Sequence, residues 1–476
     1  MESQIVKMNS ALNQKCAIPI GFFFFSCGIS RKVTDMLSRC GLCPSYDSTQ
    51  KSHKILANRN MRCAQVASRL PHSIGWDNTN ISTSVFVEQR EFAPPKVQSG
   101  TTSMIYSLRN ATPDDMLLQP VFENRRRLDM ITFNTDIRPG RSQMRAMLAS
   151  FELDIVKILV DNQSGFDYLK DNPLLRHRQF RPPPPNHKTE EFVLRTTTIE
   201  EASIDGNIRV NENVYIDQLK FENNGRELDN TGIPGFHDQS TNARIRSARI
   251  LRADDITAVL RLANLLLGPG FFHVQLNLLW AILWIHRGTV DKIGSLQFYI
   301  AVLEKVRLGT EKPDYHTLCS FTSQVLFGHI LLFWETVTGI STADFAKSKP
   351  SALIIRNYAA QIIDKYVSAA ALDRTRGTTG IPHTEDPVLR NLILLTRDLL
   401  TFYDLGLAIS SGDFGRVEIL LGVLTMMFTG AGCKNYTSEF LHFVQNLKKV
   451  WTPAIASVSC IKLTAGAISE LTTTET

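Results

Sequence analysis

The stretch NLILLTRDLLTFYDL, at Asn391–Leu405, is apolar on nearly every side when it is drawn as a helix. Such a pattern is typical of a helix inside a protein, so it predicts a buried helix. Helical periodicity covers almost all of Thr241–Val450 and also Ser142–Val160, where apolar side chains form one stripe. We therefore expect a mostly α protein.

Strand-like patterns are confined to two regions. Alternating and β-branched residues fill Ile74–Leu108, and shorter runs of this kind occur in Phe192–Gly235. The polar segment Thr196–Asn230 is expected to hold at most short strands. The predicted fold class is mostly α with a small α/β core that is interrupted by helical insertions.

Changes in composition divide the chain into five segments. A polyproline run at Arg181–Pro185 is the clearest linker. The expected segments are an N-terminal helical part (residues 1–70), the strand-containing core with helices (71–180), the Pro-rich linker with a polar, acid-rich stretch (181–240), a helical region (241–454) and a frayed tail (455–476).

The overall composition is that of a globular protein. Of the 476 residues, 43% are hydrophobic and 21% are charged. The length suggests about two to three domains, or one domain with large insertions. A net charge of +6 permits a nucleic-acid partner without requiring one.

The eight cysteines are too few for a disulfide scaffold in a chain of this length. Cys40 and Cys43 have CxxC spacing, but no second tight ligand pair accompanies them, so we expect no zinc. Reduced thiols indicate an intracellular protein, in either the nucleus or the cytoplasm.

Two apolar runs imitate membrane segments. Ile18–Gly28 is too short to span a bilayer, and it lacks the small residues of a cleavage site. Leu262–Trp284 has no charged residue, but polar groups interrupt it, and these would be costly in lipid. We interpret it as a buried helix pair with a Pro-Gly turn, with His273 and Asn277 hydrogen-bonded, and expect no membrane partner.

Arginines cluster in the first half of the chain. Such clusters usually lie on the surface or pair with carboxylates, and phosphate binding is the alternative. The clusters are Arg125–Arg127, then Arg138, Arg141 and Arg145, and then Arg176, Arg178 and Arg181.

Common nucleotide-binding and hydrolase motifs are missing from any convincing context, which disfavours P-loop and serine or zinc hydrolase chemistry. Five unusual islands remain instead. They are Trp76–Asn80 (WDNTN), His237–Thr241 (HDQST), Gly270–His273 (GFFH), Ser411–Arg416 (SGDFGR) and Asn435–Glu439 (NYTSE).

In this order the islands resemble a fungal family of unknown function, number 6589 in its series, which is abundant in mushroom-forming fungi. The resemblance runs from about Ile18 to Ala454. Two positions depart from the family pattern, since His237 stands where a glycine is usual and Ser240 where a leucine is usual. The family implies no proven activity, and an N-terminal targeting module is expected to be missing because the match begins so near the first residue.

The sharpest functional hypothesis is a distant resemblance to transposase cores of the RNase H-like type. Such cores bring carboxylates together to hold two divalent metals. This resemblance makes Asp77, Asp238 and Glu439 the candidate catalytic and metal-binding residues, with Mg or Mn as cofactor. Each also has a structural interpretation: an Asx turn at Asp77, a helix N-cap at Asp238, and a carboxylate in a helix's first turn at Glu439.

A basic helix face follows Asp238. Arg244, Arg246, Arg249 and Arg252 repeat every two to three residues and could follow a phosphate backbone. Surface salt bridges are the alternative interpretation.

Two functional hypotheses follow. The first is a metal-dependent nucleic-acid-processing enzyme descended from a mobile element, whether or not it retains activity. The second is a non-catalytic helical interaction or nucleic-acid-binding protein of the same ancestry. Both have DNA or RNA as the expected partner, and the oligomeric state stays open.

Overall fold

The computed structural model describes residues 17–82, 97–127, 129–222, 226–376 and 386–459. Part of the predicted strand region, after Ser82, lies outside these residues, as does most of the predicted tail. Residues 453–459, around the predicted start of that tail, are helical.

Three helices precede the sheet, as predicted for the N-terminal segment. They are α1 (Ala17–Ser26), α2 (Arg31–Arg39) and α3 (Tyr46–Ala67). The Ser45 side chain accepts a hydrogen bond from the Ser48 amide and so caps the start of α3. Gly41 takes a φ of +79° just after α2, a conformation that glycine adopts without steric cost.

Five strands form one mixed sheet with the order β3-β2-β1-β4-β5. Strands β1 and β2 form an antiparallel hairpin, and the short β3 pairs antiparallel with β2. Strand β4 runs parallel to β1, and β5 runs parallel to β4. The strands are β1 (His72–Ser82), β2 (Val97–Ser107), β3 (Glu191–Val193), β4 (Ile233–His237) and β5 (Leu265–Pro269).

The remaining α-helices make the protein mostly helical, as predicted. Short π-helical turns at Asn213–Gln218 and Asn446–Val450 extend two of them. The helices are α4 (Gln119–Arg126), α5 (Arg141–Asn162), α6 (Ile204–Glu212), α7 (Gln239–Leu251), α8 (Phe271–His286), α9 (Leu296–Val302), α10 (Tyr315–Thr338), α11 (Thr342–Lys347), α12 (Ala352–Tyr366), α13 (Ala369–Arg374), α14 (Pro387–Ser410), α15 (Phe414–Gly430) and α16 (Lys434–Gln445).

Two hydrophobic cores support these elements. The larger core lies among α5, α8, α10, α14, α15 and α16 and contains the fully buried Trp334 and Phe414. The smaller core lies between the sheet and α6 and α7, where Trp76, Tyr215 and Ile245 are buried. The helix predicted at Asn391–Leu405 belongs to α14 and lies in the larger core, as expected.

Two predictions of local structure were wrong. Leu262–Trp284 is not a helix pair, because Leu265–Pro269 forms the edge strand β5 before α8 begins at Phe271. Every residue of this strand is buried, so its apolar run is the pattern of a covered parallel strand, which resembles that of a buried helix. In Thr196–Asn230, helix α6 and a π-turn replace the expected short strands.

The hydrogen bonds predicted within α8 are present. Asn277 Nδ2 donates to the His273 carbonyl at 2.8 Å and to the Tyr436 hydroxyl at 2.9 Å. His273 Nε2 lies 3.3 Å from Asp77 Oδ2. Among the described helices, α10 is long and apolar enough to cross a membrane, with half of its most apolar window buried inside the protein.

Candidate functional site

Asp77 lies on β1, and Asp238 is the first residue after β4, the strand that runs parallel to β1. Ile74 of β1 pairs with Gly235 of β4, and each aspartate is the third residue after its paired position (77 − 74 = 238 − 235 = 3). Neighbouring strands are about 4.8 Å apart, so this register places the two residues near each other at the level where β4 ends.

The ends of β1 and β4 lie where α/β proteins usually bind ligands. The chain builds β2 and β3 on one side of β1 and then returns to add β4 and β5 on the other. The order of the strands therefore reverses between β1 and β4. Crevices outside the carboxyl ends of parallel strands at such a reversal are common ligand sites.

Asp238 is the N-cap of α7. Its Oδ1 accepts a hydrogen bond from the Thr241 amide at 2.5 Å, and its backbone is extended before the helix begins at Gln239. The N-cap predicted from the sequence is confirmed. This cap occupies one carboxylate oxygen and fixes the side chain at the strand-to-helix junction.

Asp77 is largely exposed, with 58% of its side chain accessible. Its Oδ1 accepts from the Asn78 amide at 2.8 Å, one residue on and not two as in an Asx turn, and Asp77 lies within β1, so the predicted Asx turn is wrong. Its Oδ2 faces His273 Nε2 in the first turn of α8. Asp77 is thus held between a β-strand and a helix N-terminus.

Glu439 reaches the same region from α16. It is only 1% exposed, and its Oε2 forms an ion pair with Arg246 Nη2 at 2.6 Å. Burial raises the pKa of Glu439, the Arg246 pair opposes that rise, and the negative charge of Asp238 adds to it. The predicted first-turn position is wrong, because α16 begins at Lys434 and Glu439 lies in its second turn.

Asn242 connects these elements. It is fully buried, and its Nδ2 donates to Glu439 Oε1 at 2.7 Å and to the Gly268 carbonyl of β5 at 2.9 Å. Its Oδ1 lies 3.1 Å from His237 Nδ1. One side chain on α7 thereby ties together β4, β5 and α16.

Glu201 is a fourth carboxylate that the sequence interpretation missed. It is 1% exposed, and its Oε2 meets no hydrogen-bond donor among the described residues. Burial, helped by the charges of Asp77 and Asp238, raises the pKa of Glu201 to about 8 against the opposing effects of the Thr241 hydroxyl and Arg244. No motif marks this residue, since it lies in an irregular, polar stretch before α6.

His237 lies beneath the carboxylates in neutral form. Burial lowers its pKa to about 4, and its ring packs on Trp76 with centroids 4.1 Å apart. Its Nε2 is buried and has no partner among the described residues. The buried His237 ring and Trp76 therefore pack together at the end of β4.

The predicted basic face on α7 is largely engaged within the protein. Arg249 is partly buried and donates to the carbonyls of Leu262 and Leu265. Arg252 pairs with Glu212 at 3.3 Å, and Arg244 donates to the Glu201 carbonyl at 3.3 Å. Their predicted role in nucleic-acid binding stays a prediction.

The donors at this site are neighbours, but they are not drawn tightly together. In the part of the chain that the structure describes, one group of three metal-ligand donors lies within 4.8 Å of one another: Asp154, His177 and Asp404, inside the helical core. Asp77, Asp238 and Glu439 do not form such a group in this conformation. Their predicted metal-binding role stays a prediction.

The family model described as a family of unknown function (DUF6589) matches residues 126–460, more than half of the chain. The protein belongs to this family. The matched region includes Asp238, Glu439 and Glu201, whereas Asp77 and the β1–β2 hairpin precede it. No curated protein and no solved structure matches the chain.

Proposed function

We propose that this protein is a metal-dependent nucleic-acid-processing protein descended from a mobile element. Asp77, Asp238 and Glu439 would hold Mg²⁺ or Mn²⁺, and Glu201 would complete the set of ligands. The observation that carries the proposal is that Glu201 is buried with one oxygen unpartnered among the described residues, while the charges of Asp77 and Asp238 act on it.

The donor set suits a hard divalent cation. All four side chains offer carboxylate oxygens, which are the ligands that Mg²⁺ and Mn²⁺ prefer. Within the described residues Arg246 pairs with Glu439, whereas no arginine or lysine forms an ion pair with Asp77, Asp238 or Glu201. A divalent ion would relieve the repulsion from Asp77 and Asp238 that adds to the effect of burial on the pKa of Glu201.

The sheet supports the same class of reaction. An RNase H-like core is a mixed sheet whose central strands carry metal-binding carboxylates, and here Asp77 lies on β1 while Asp238 directly follows the neighbouring β4. Bound divalent metals in such sites act as Lewis acids and activate water for attack on a phosphodiester.

The chain's own groups have defined tasks in this proposal. His273 orients Asp77 through its Nε2, and the Thr241 amide orients Asp238. Glu201 keeps its proton near neutral pH when no cation is present and releases that proton when a cation binds. The expected partner is DNA or RNA, in the nucleus or the cytoplasm.

One observation favours the non-catalytic alternative. The Arg246 guanidinium already neutralises Glu439. Both carboxylate oxygens of Glu439 have partners, since Arg246 contacts one and Asn242 donates to the other. A protein that has lost catalysis and kept nucleic-acid binding would have this arrangement.

Thermal unfolding with and without Mn²⁺ tests the metal site. The wild type is expected to melt at a higher temperature with Mn²⁺, because an ion that binds only the folded state stabilises it by mass action. Asp238→Asn should abolish this rise while it keeps the helix cap, since Asn caps as well as Asp.

Asp205→Asn is the matched control. Asp205 is 77% exposed on α6 and should leave the Mn²⁺ effect unchanged. Equal melting temperatures with Mn²⁺ and with EDTA for the wild type would overturn the metal site and favour the non-catalytic alternative.

A further inference from the structure

A basic pocket of about 620 Å³ lies outside the carboxylate site, among α5, α12 and the segment that precedes the polyproline run. The side chains that matter most here are four arginines, one histidine and one phenylalanine. They are Arg145, Arg176, His177, Arg178, Phe180 and Arg356.

The pocket carries a net positive charge. Arg356 Nε pairs with Glu152 at 2.7 Å. Among the described residues no carboxylate lies within ion-pair distance of Arg145, Arg176 or Arg178, so three guanidinium groups keep their full charge. An anion with several oxygens, such as a phosphate group, matches such a set of planar donors.

An apolar platform adjoins these charges. Phe180 is 42% exposed, and the Arg178 guanidinium lies 5.1 Å from the centre of its ring. Leu174, also at the pocket, is 56% exposed. Exposed aromatic rings beside arginines bind the faces of unpaired bases in proteins that hold single-stranded nucleic acid.

The segment that presents Arg178 and Phe180 is held in place by buried groups. Asp413, which is 1% exposed, accepts hydrogen bonds from the Phe180 and Arg181 amides at 2.9 and 2.8 Å. A Cβ atom on Gly415 would lie 2.5 Å from the Phe180 Cβ, so this close approach requires glycine. The Gly412–Arg416 island therefore serves to position the pocket.

His177, earlier in the same segment, is also held by a buried group. His177 Nε2 lies 2.8 Å from Asp154 Oδ1, and Asp154 is fully buried. The neighbouring Asp404 pairs with Arg416 and accepts from the Ser150 hydroxyl. Because Arg416 already neutralises Asp404, this group is better described as an internal ion-pair network than as a metal site.

We propose that this pocket binds a nucleotide unit of single-stranded nucleic acid. The phosphate contacts Arg145, Arg176 and Arg178, and the base lies on Phe180. The inference rests on the proposed function only for the identity of the ligand. It requires no metal, so it can fail or succeed separately from the carboxylate site.

Fluorescence anisotropy of a labelled oligothymidylate in EDTA tests the pocket in the full chain. The double variant Arg145→Gln/Arg178→Gln should bind at least about tenfold more weakly, and its affinity should depend less steeply on salt, by about one unit of slope per lost phosphate contact. Phe180→Ala should weaken binding by about tenfold with the salt slope unchanged.

Arg307→Gln is the matched control, because Arg307 is exposed and lies in the connection between α9 and α10. If the double variant bound oligothymidylate as tightly as this control, the proposal would be overturned. If inorganic phosphate displaced the oligonucleotide as readily as thymidine monophosphate does, the proposed stacking of the base on Phe180 would be overturned.

A second measurement separates the two sites. The double variant should keep the Mn²⁺-induced rise in melting temperature, and Asp238→Asn should keep oligothymidylate binding in EDTA. Loss of both properties in either variant would contradict the assignment of two independent sites.

Discussion

Asp77 of β1 and Asp238, the residue after β4, each stand three residues beyond the paired Ile74 and Gly235, although 161 residues separate them in the chain (238 − 77). Glu201 is buried, and its pKa is raised to about 8 by burial and by the charges of both aspartates. The charge of this carboxylate cluster therefore depends on pH near neutrality.

The stability of the protein in EDTA should reflect the proton on Glu201. The folded carboxyl holds its proton to about pH 8, whereas the unfolded one releases it near pH 4.5, so the folded state binds more protons between these values. The Glu201 contribution to stability is therefore present at low pH and is lost as pH rises through this window, by at most about 1.4 kcal/mol per pH unit.

Urea unfolding of the wild type and Glu201→Gln across this window measures the difference. Variants must be compared because His237 contributes to the pH dependence with the opposite sign. Its pKa is lowered to about 4, so its contribution to protein stability is fully present above about pH 6.5 and is lost as pH falls. Glu200→Gln, at the exposed neighbour, is the control. If the free energy of unfolding changed with pH in the same way for the wild type and Glu201→Gln, the raised pKa of the Glu201 carboxyl would be contradicted.

The Arg246–Glu439 ion pair should stabilise the folded protein more than an exposed salt bridge does. Arg246→Ala leaves the buried Glu439 carboxylate unpaired and is expected to cost about 3–5 kcal/mol of unfolding free energy. The double variant Arg246→Ala/Glu439→Gln should be less destabilised than Arg246→Ala alone, because it no longer buries an unpaired charge.

Arg252→Ala is the control on α7, since its partners Glu212 and Asp255 are about 40% exposed and such pairs contribute about 1 kcal/mol or less. The measurement is chemical denaturation at neutral pH. Similar losses for Arg246→Ala and Arg252→Ala would show that the pair is a surface salt bridge, as one sequence interpretation held.

Gly415→Ala should destabilise the protein by about 1–3 kcal/mol, because the new Cβ would collide with the Phe180 Cβ and the Arg181 amide. Gly430→Ala, in the same helix, is the matched control. Its Cβ would meet no atom within 4 Å, and the change should be neutral or stabilise the helix by up to about 1 kcal/mol. Thermal unfolding compares the two, and equal effects would show that the segment at Phe180 moves freely.

Much of the helical architecture was predictable from the sequence. Apolar periodicity predicted the buried α14, and the Asp-x-x-Thr pattern at Asp238 predicted the cap of α7. These features depend on residues within one or two helical turns of each other. Local spacing therefore contains the information that determines them.

The sequence by itself determined the helical half of the protein, the strand that carries Asp77 and the strand-to-helix junction that carries Asp238. Only the tertiary structure decided that Leu265–Pro269 is a strand, because an apolar run fits a covered strand and a buried helix equally well. It also decided that the buried Glu201 lies within the electrostatic influence of the two aspartates and that Asp413 holds the segment at Phe180. Those contacts join residues far apart in the chain, and their energies depend on burial and charge that exist only after the sheet and helices have packed.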